Sequence, residues 1–546
     1  MKKIISFGLA LVLVLLCVAC AGGNNSNDPS GNPNPNLGNP ASGNPPGTVE
    51  QIVYVNMEDG DPGTLDPISS WSGARMVCLM QVYEKLGYYA DEGDGITGVL
   101  MESYKQDGKE YTVTIYDYIK DSAGNPFTVD DIIWCIEKQA EAGTNSSAKK
   151  IDSMEKIDDY NLKITFKNND LGQFQALCVD TYLCTRAAYE ADENGMAINA
   201  VGTGPYLVDN YVSGSSVTLR KNPNYWQQAD LCQEHAQQAN VETIVFNIVT
   251  EAAQMVVGLE TGTLDMSYVE FSNAKRFMEG GEDAGQFTTT IISGWGGQDI
   301  WCNMSDDSVM KDNPDLRKAI MYAIDRNAVI QAVYDGFAEN PATYGTSRFP
   351  DVDPALKPED YYGYNPELAK EYLDKAIAAG YDPNSTLVAV CDNRANAITG
   401  MDVIQAYLGQ IGIKIEVQPL ESATFQNTID QSNGWDLCWK GKGATNYVVT
   451  IWNAMLNAYS YTEDGSHCFA FISDPELQRL LEAACNAETH SYETTNAVHY
   501  YLMDQAYQQR LFVEQKCMVS NNDKVMEVCV NKDTRIVPGA CTYVWN

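Results

Sequence analysis

The chain has 546 residues, 44% hydrophobic and 10% aromatic, too long for one hydrophobic core and suited to two or more lobes. Lysine and arginine number 36 against 73 aspartates and glutamates, a formal net charge of −37. That excess repels nucleic acid and anionic lipid, and excludes nucleic acid as a partner.

Lys2 and Lys3 precede an apolar run over residues 4–19, which reads as a secretory signal and not as a permanent span. Cys20 follows Cys17-Val18-Ala19 and stands where a lipoprotein signal peptidase cuts, with Cys17 in place of the usual leucine. Lipidation of Cys20 is therefore expected, with residues 1–19 removed. Residues 21–47 are almost purely Asn, Pro, Gly and Ser, a composition that cannot bury enough apolar surface to fold. As a flexible tether they reach about 30 Å, so residues 20–47 would hold the body near the membrane through the lipid alone. The expected location is extracytoplasmic.

The body opens with a strand over residues 52–56, an acidic turn containing Asp61, and Thr64-Leu65-Asp66-Pro67. Gln81-Val82-Tyr83-Glu84-Lys85-Leu86 is expected on a helix. Thr128 can cap a second helix whose Asp131 completes a capping box. Gly202, Gly204 and Pro205 force a tight backbone. Residues 206–211 and 217–220 read as two short strands around a Ser-Gly-Ser-Ser turn, and Asn222 to Trp226 close a second turn with two aromatics. Then come a strand over 244–249, a helix over 252–260, a glycine-rich crossing at Gly294, Gly296 and Gly297, and a helix opened by Asn313-Pro314. A helix opened by Asn365-Pro366 ends at Gly380. It is followed by a strand, helix, strand order over 387–391, 403–408 and 413–417, which implies a parallel crossover. The last seventy residues read as helix and then strand.

Several of these segments carry a resemblance. The GTGPY…NPxYW run at Val201 to Trp226, the TLDP turn, VYEKL at 82–86, GNPFTVDDI at 124–132, TGTLDM at 261–266 and the helix through Ala319-Ile320-Met321-Tyr322-Ala323-Ile324-Asp325-Arg326 are similar to the motifs of family 5 extracytoplasmic solute-binding proteins, the peptide and nickel class that feeds ABC importers. The resemblance implies an α/β fold of the type II periplasmic-binding-protein architecture, cluster C, with two lobes, a hinge and an extra inserted domain. Residues 48–75, 200–292 and 517–546 would form lobe I, 76–199 the inserted domain and 293–516 lobe II. It further implies a monomer that encloses a peptide or small molecule between its lobes and works with permease and ATPase subunits, with no cofactor.

In peptide-binding members an aspartate in a GWxxD segment holds the ligand's ammonium. Trp435-Asp436-Leu437 matches the strand before that segment. An ungapped continuation puts the motif's tryptophan on Lys442 and its aspartate on Thr445. A hydroxyl cannot replace the charged contact and a lysine repels an ammonium, so a carboxylate, phosphate or neutral polar ligand gains. Trp71, Trp295, Trp301 and Trp439 are candidate ring contacts, with Trp439 flanking the expected cleft loop. Asp61 divides evenly between a ligand contact and a turn-forming role.

Other chemistry finds little support. There is no GxSxG, HExxH or P-loop. Paired carboxylates are too plentiful to single out a surface glycosidase, which stays as the rival class beside an oligosaccharide- or anion-binding receptor of the same fold. The cysteines beyond Cys20 form no CxxC cluster, which disfavours structural zinc and leaves both disulfides and buried thiols open. His490 and His499, nine apart on one expected helix, do not make a metal site. None is expected.

Overall fold

The computed structural model describes residues 51–57, 60–69, 73–90, 95–443, 446–457 and 469–545, within the compact unit Val49–Asn546. Cys20, Trp71 and Thr445 lie outside the described residues. Among those described, no helix is long and apolar enough to cross a membrane.

Strand Ile52–Asn56 buries Val53 and Val55 completely. It pairs in parallel with Thr243–Asn247 and Met266–Val269, as a strand covered on both faces does. The hairpin Tyr206–Val212 and Ser216–Lys221 extends this sheet antiparallel to Thr243–Asn247. On the other side of the molecule, Thr386–Asp392 and Lys414–Leu420 pair in parallel across helix Ala395–Ile411, the crossover that their spacing implied. Leu437–Trp439 lies beside Thr386–Asp392. Two long antiparallel strands, Phe287–Cys302 and Gln508–Asn521, run through both halves and join them into one twelve-stranded sheet.

Between the first strand and the hairpin sits a separate antiparallel sheet in the order Met101–Asp107, Glu110–Ile115, Asn161–Phe166, Ile151–Lys156. In its two central strands buried side chains alternate with half-buried ones. Helix Val129–Glu141 begins after an extended Thr128, whose backbone N–H donates to the Asp131 carboxylate at 2.8 Å. Tyr111 stacks on Phe174 with ring centroids 4.2 Å apart.

The GTGPY and VYEKL segments lock together. Tyr225 Oη donates to Glu84 Oε1 at 2.6 Å and Trp226 Nε1 to Glu84 Oε2 at 2.8 Å. Gly204 and Tyr206 donate their backbone N–H groups to Val82 O and Gln81 O, at 2.9 and 3.0 Å. A Cβ on Gly204 would lie 2.3 Å from Gln81 O. These bonds explain a difference from the sequence expectation: the helix is Gly73–Leu79, and residues 81–86 form turns. The carbonyls of Gln81 and Val82 are taken by the GTGPY strip, and those of Glu84, Lys85 and Leu86 by Leu183, Leu100 and Val99, instead of by a following helical turn. The expected helix bearing both His490 and His499 also divides differently. Helix Tyr492–Gln505 starts after His490, capped by Ser491, and His499 is buried against Thr343 Oγ1 at 2.9 Å.

Candidate functional site

Where the long strands pass between the lobes, their pairing breaks. Ser293 pairs with Gln515, and the next pair is Gly297 with Val513. A bulge of this kind bends a strand and interrupts its ladder. Gly297 is needed there because a Cβ would lie 1.9 Å from Phe512 O. Arg348 donates from Nη2 to Ser293 O at 2.6 Å and also to Gly294 O, with its guanidinium 4.3 Å from the Trp295 ring centre.

Next to this break the two lobes enclose a chamber of about 640 Å³. Lys85, Tyr88, Asp180 and Tyr182 come from the segment after the first helix and from the inserted sheet's surroundings, Asp533 and Arg535 from the C-terminal segment, and Lys442 from the opposite lobe. Lys85 is buried, its ammonium 4.3 Å from the Tyr182 ring centre and 4.8 Å from that of Tyr88. Burial lowers its pKa against the pull of Asp533 and Asp180. Burial raises the Asp180 carboxyl, which accepts from Ser147 Oγ at 2.9 Å. Asp533 is raised in the same way, and its Oδ1 accepts no hydrogen bond among the described residues.

Two further chambers adjoin it. Asn531 is shared with one of about 440 Å³ beside the strand break, lined by Trp295, Arg348 and Lys532. Ser146 is shared with one of about 840 Å³, where Lys149, Lys150 and Lys167 face Asn453, Asn457 and Glu482 of the second lobe. At that far end the lobes are clasped by backbone: Leu171 N–H donates to Cys485 O and Ala487 N–H to Asn169 O, both at 2.8 Å. Asp170 and Asn486 form an antiparallel bridge between them.

The residues singled out in the sequence fall in different places. Lys442 lines the central chamber, its carbonyl accepting from Arg510 Nη2 at 2.8 Å. Trp295 lines the chamber beside the strand break and donates from Nε1 to Lys532 O. Trp301 is fully buried, donates to Lys440 O at 2.9 Å and packs edge-on against Tyr344 and Phe469. Trp439 is 2% exposed and ends a strand, with its ring pressed on Gly400, and it also lines a chamber of about 270 Å³ with Gln298, Arg394, Phe512 and Glu514. Trp301 pairs with Cys438, and Trp439 with Ile300, so the two rings lie on opposite faces of the sheet. Both belong to the second-lobe core.

Asp61 lines none of these chambers. Its carboxylate accepts from Tyr211 Oη at 2.5 Å, Gly63 N–H at 2.6 Å, Ser213 Oγ at 3.0 Å and Gly214 N–H, which ties the acidic turn to the hairpin. Burial tends to raise this carboxyl, but the hydrogen bonds outweigh it and hold it below its ordinary value. Sequence reasoning missed Lys85, Asp180, Asp533 and Arg535. Lys85 was visible inside VYEKL, but nothing in a motif read as scaffold marks one side chain as facing a cavity. Among the described residues, no group of three or more His, Cys, Asp or Glu side chains is arranged to hold a metal.

The model of the bacterial extracellular solute-binding proteins, family 5, middle region, matches residues 95–462, more than half of the chain. A putative ABC transporter peptide-binding protein of Brucella ovis is 25% identical over 461 residues, covering 79% of this chain and 80% of that protein. The glutathione-binding protein GsiB of Escherichia coli is 26% identical over 450 residues, covering 77% and 84%. Among solved structures, a putative peptide-binding protein AppA from Clostridium difficile superposes with a TM-score of 0.76 at 18% identity, over 90% of this chain and 100% of that one. NikA from Brucella suis, in complex with Fe(III)-EDTA, gives 0.75 at 19%, with the same coverage.

Proposed function

The chain belongs to the bacterial extracellular solute-binding proteins of family 5, and from that premise we propose that it captures a short peptide or another small polar solute between its lobes and delivers it to an ABC importer. The observation that carries this reading is the central chamber, walled by Lys85 and Asp533 on one side and Lys442 on the other, beside the two long strands that join the halves of the sheet. Binding energy spent across such a cleft shifts an open form toward a closed one. The chemistry is recognition alone, without turnover. The relatives named above are binding proteins, and the chamber brings together cations, carboxylates, amides and aromatic rings that suit recognition of a polar solute.

The break at Ser293 and Gly297 supports the division at residue 293, with lobe I made of 48–75, 200–292 and 517–546, the inserted domain of 76–199, and lobe II of 293–516. The family is extracytoplasmic. The apolar leader and Cys20 support a lipid anchor with a monomeric body beyond the 20–47 tether. Labelling with radioactive palmitate should mark the wild type and not Cys20→Ala.

Thermal unfolding of the mature protein against libraries of short peptides, oligosaccharides and small carboxylates tests the function. A rise in Tm with peptides supports it. Stabilisation by no ligand in any library, or conversion of one of them, would refute it.

A further inference from the structure

Three adjoining chambers of the cleft reverse the charge of the molecule around them. Acids outnumber bases two to one in the whole chain. A depression confined to the inserted segment follows that rule, with Glu190, Asp192 and Glu193 against Lys138. The three chambers do not. In the central chamber Lys85, Lys442 and Arg535 meet Asp180 and Asp533. The chamber beside the strand break holds Arg348 and Lys532 with no acid. At the clasp end, Lys149, Lys150 and Lys167 meet Asp170 and Glu482.

Lys85 gives this lining a focus. It is 5% exposed and makes no ion pair within 4 Å among the described residues, while two tyrosine rings take its ammonium. A buried ammonium is costly without a counter-charge, and ring faces supply only part of one. Asp180 is engaged by Ser147, and Asp533 acts on Lys85 through space without bonding it. Lys442 reaches the same chamber from the other lobe. Lobe closure drives a second cation toward the first in a shrinking space that already holds Asp180 and Asp533, and a ligand carboxylate between the two lysines would favour that approach.

We propose that this cleft selects short acidic peptides, with one carboxylate received between Lys85 and Lys442 and further acidic side chains directed toward the lysines at 149, 150 and 167. The inference rests on the peptide-capture reading above and adds the charge class of the ligand. The three chambers adjoin one another at the shared residues Ser146 and Asn531, which sets them in a row along the cleft.

Calorimetric titration of the mature protein with Ala-Glu-Glu-Ala, Ala-Gln-Gln-Ala and Ala-Lys-Lys-Ala tests it, at low and at physiological salt. The glutamate peptide should bind at least about tenfold tighter than its glutamine isostere, the lysine peptide weakest, with the gap narrowing as salt rises. In Lys442→Gln the ratio of glutamate to glutamine affinity should fall to about threefold or less. Equal or tighter binding of the glutamine peptide, or a ratio unchanged in Lys442→Gln, would overturn the charge preference and leave peptide capture standing. If none of the three peptides binds, peptide capture itself falls, and the preference falls with it.

Discussion

Arg510 donates from Nη2 to the carbonyl of Lys442 at 2.8 Å while its guanidinium pairs with Asp299, both side chains fully buried. Burial pushes the Asp299 carboxyl up to about 7, and Arg510 offsets only part of that rise. This buried pair therefore holds the backbone from which Lys442 enters the chamber, although neither partner lines it. Arg510→Met should leave Asp299 unpaired and cost about 3–5 kcal/mol in a denaturant titration. Pairing it with Asp299→Leu should recover much of that loss, because two apolar groups leave no charge stranded. Ligand affinity should stay reduced in the double variant, since Lys442 O has lost its donor.

Glu84 makes a prediction about pH. It is 1% exposed and burial raises its carboxyl to about 7, despite the hydrogen bonds from Tyr225 and Trp226. The folded value lies above the unfolded one, so its stabilising contribution is complete below the unfolded pKa and is lost as pH rises through about 7. Between about pH 5 and about pH 8 the wild type should lose roughly 2–4 kcal/mol relative to Glu84→Gln, measured by urea unfolding at each pH. Parallel curves for the two proteins would show that Glu84 does not titrate in this range.

Two glycines of the signature run should respond differently to alanine. Gly204 faces Gln81 O at 2.3 Å from an added Cβ, a contact with rigid backbone. Gly204→Ala should cost about 1–3 kcal/mol and shift the 81–86 turn. At Gly214 a Cβ would meet open space, with only the positive φ of 72° against it, so Gly214→Ala should cost about 1 kcal/mol. Differential scanning calorimetry of the two variants checks the order.

The clasp opposite the strand break should govern release. Ala487→Pro removes the N–H that donates to Asn169 O across the lobes. Loss of one such bond, about 1 kcal/mol, should speed ligand dissociation roughly fivefold in stopped-flow measurements. The Tm of the ligand-free protein should change little, because either lobe keeps its own core.

The frame was legible in the sequence because its motifs act locally. Gly204, Tyr225 and Trp226 announce a tight strip, and the strip does bind the VYEKL turn. The site was less legible for two reasons. Trp439 beside two lysines reads as a loop aromatic, yet pairing with Ile300 turns its ring into the core, a fact set by sheet register and not by its neighbours in sequence. Lys85, Asp180 and Asp533 are nearly 450 residues apart at the extremes, and only the tertiary fold brings them to one chamber. Lys442 could be placed from the departure at its own position. Its partner across the cleft could not.

Small-angle scattering of the mature protein tests the central claim, closure of two lobes about a solute, most directly. Saturation with a bound acidic tetrapeptide should lower the radius of gyration as the lobes close on Lys85 and Lys442, and Lys442→Glu should prevent the change at the same peptide concentration. A scattering curve that stays the same when peptide is shown by calorimetry to be bound would contradict it.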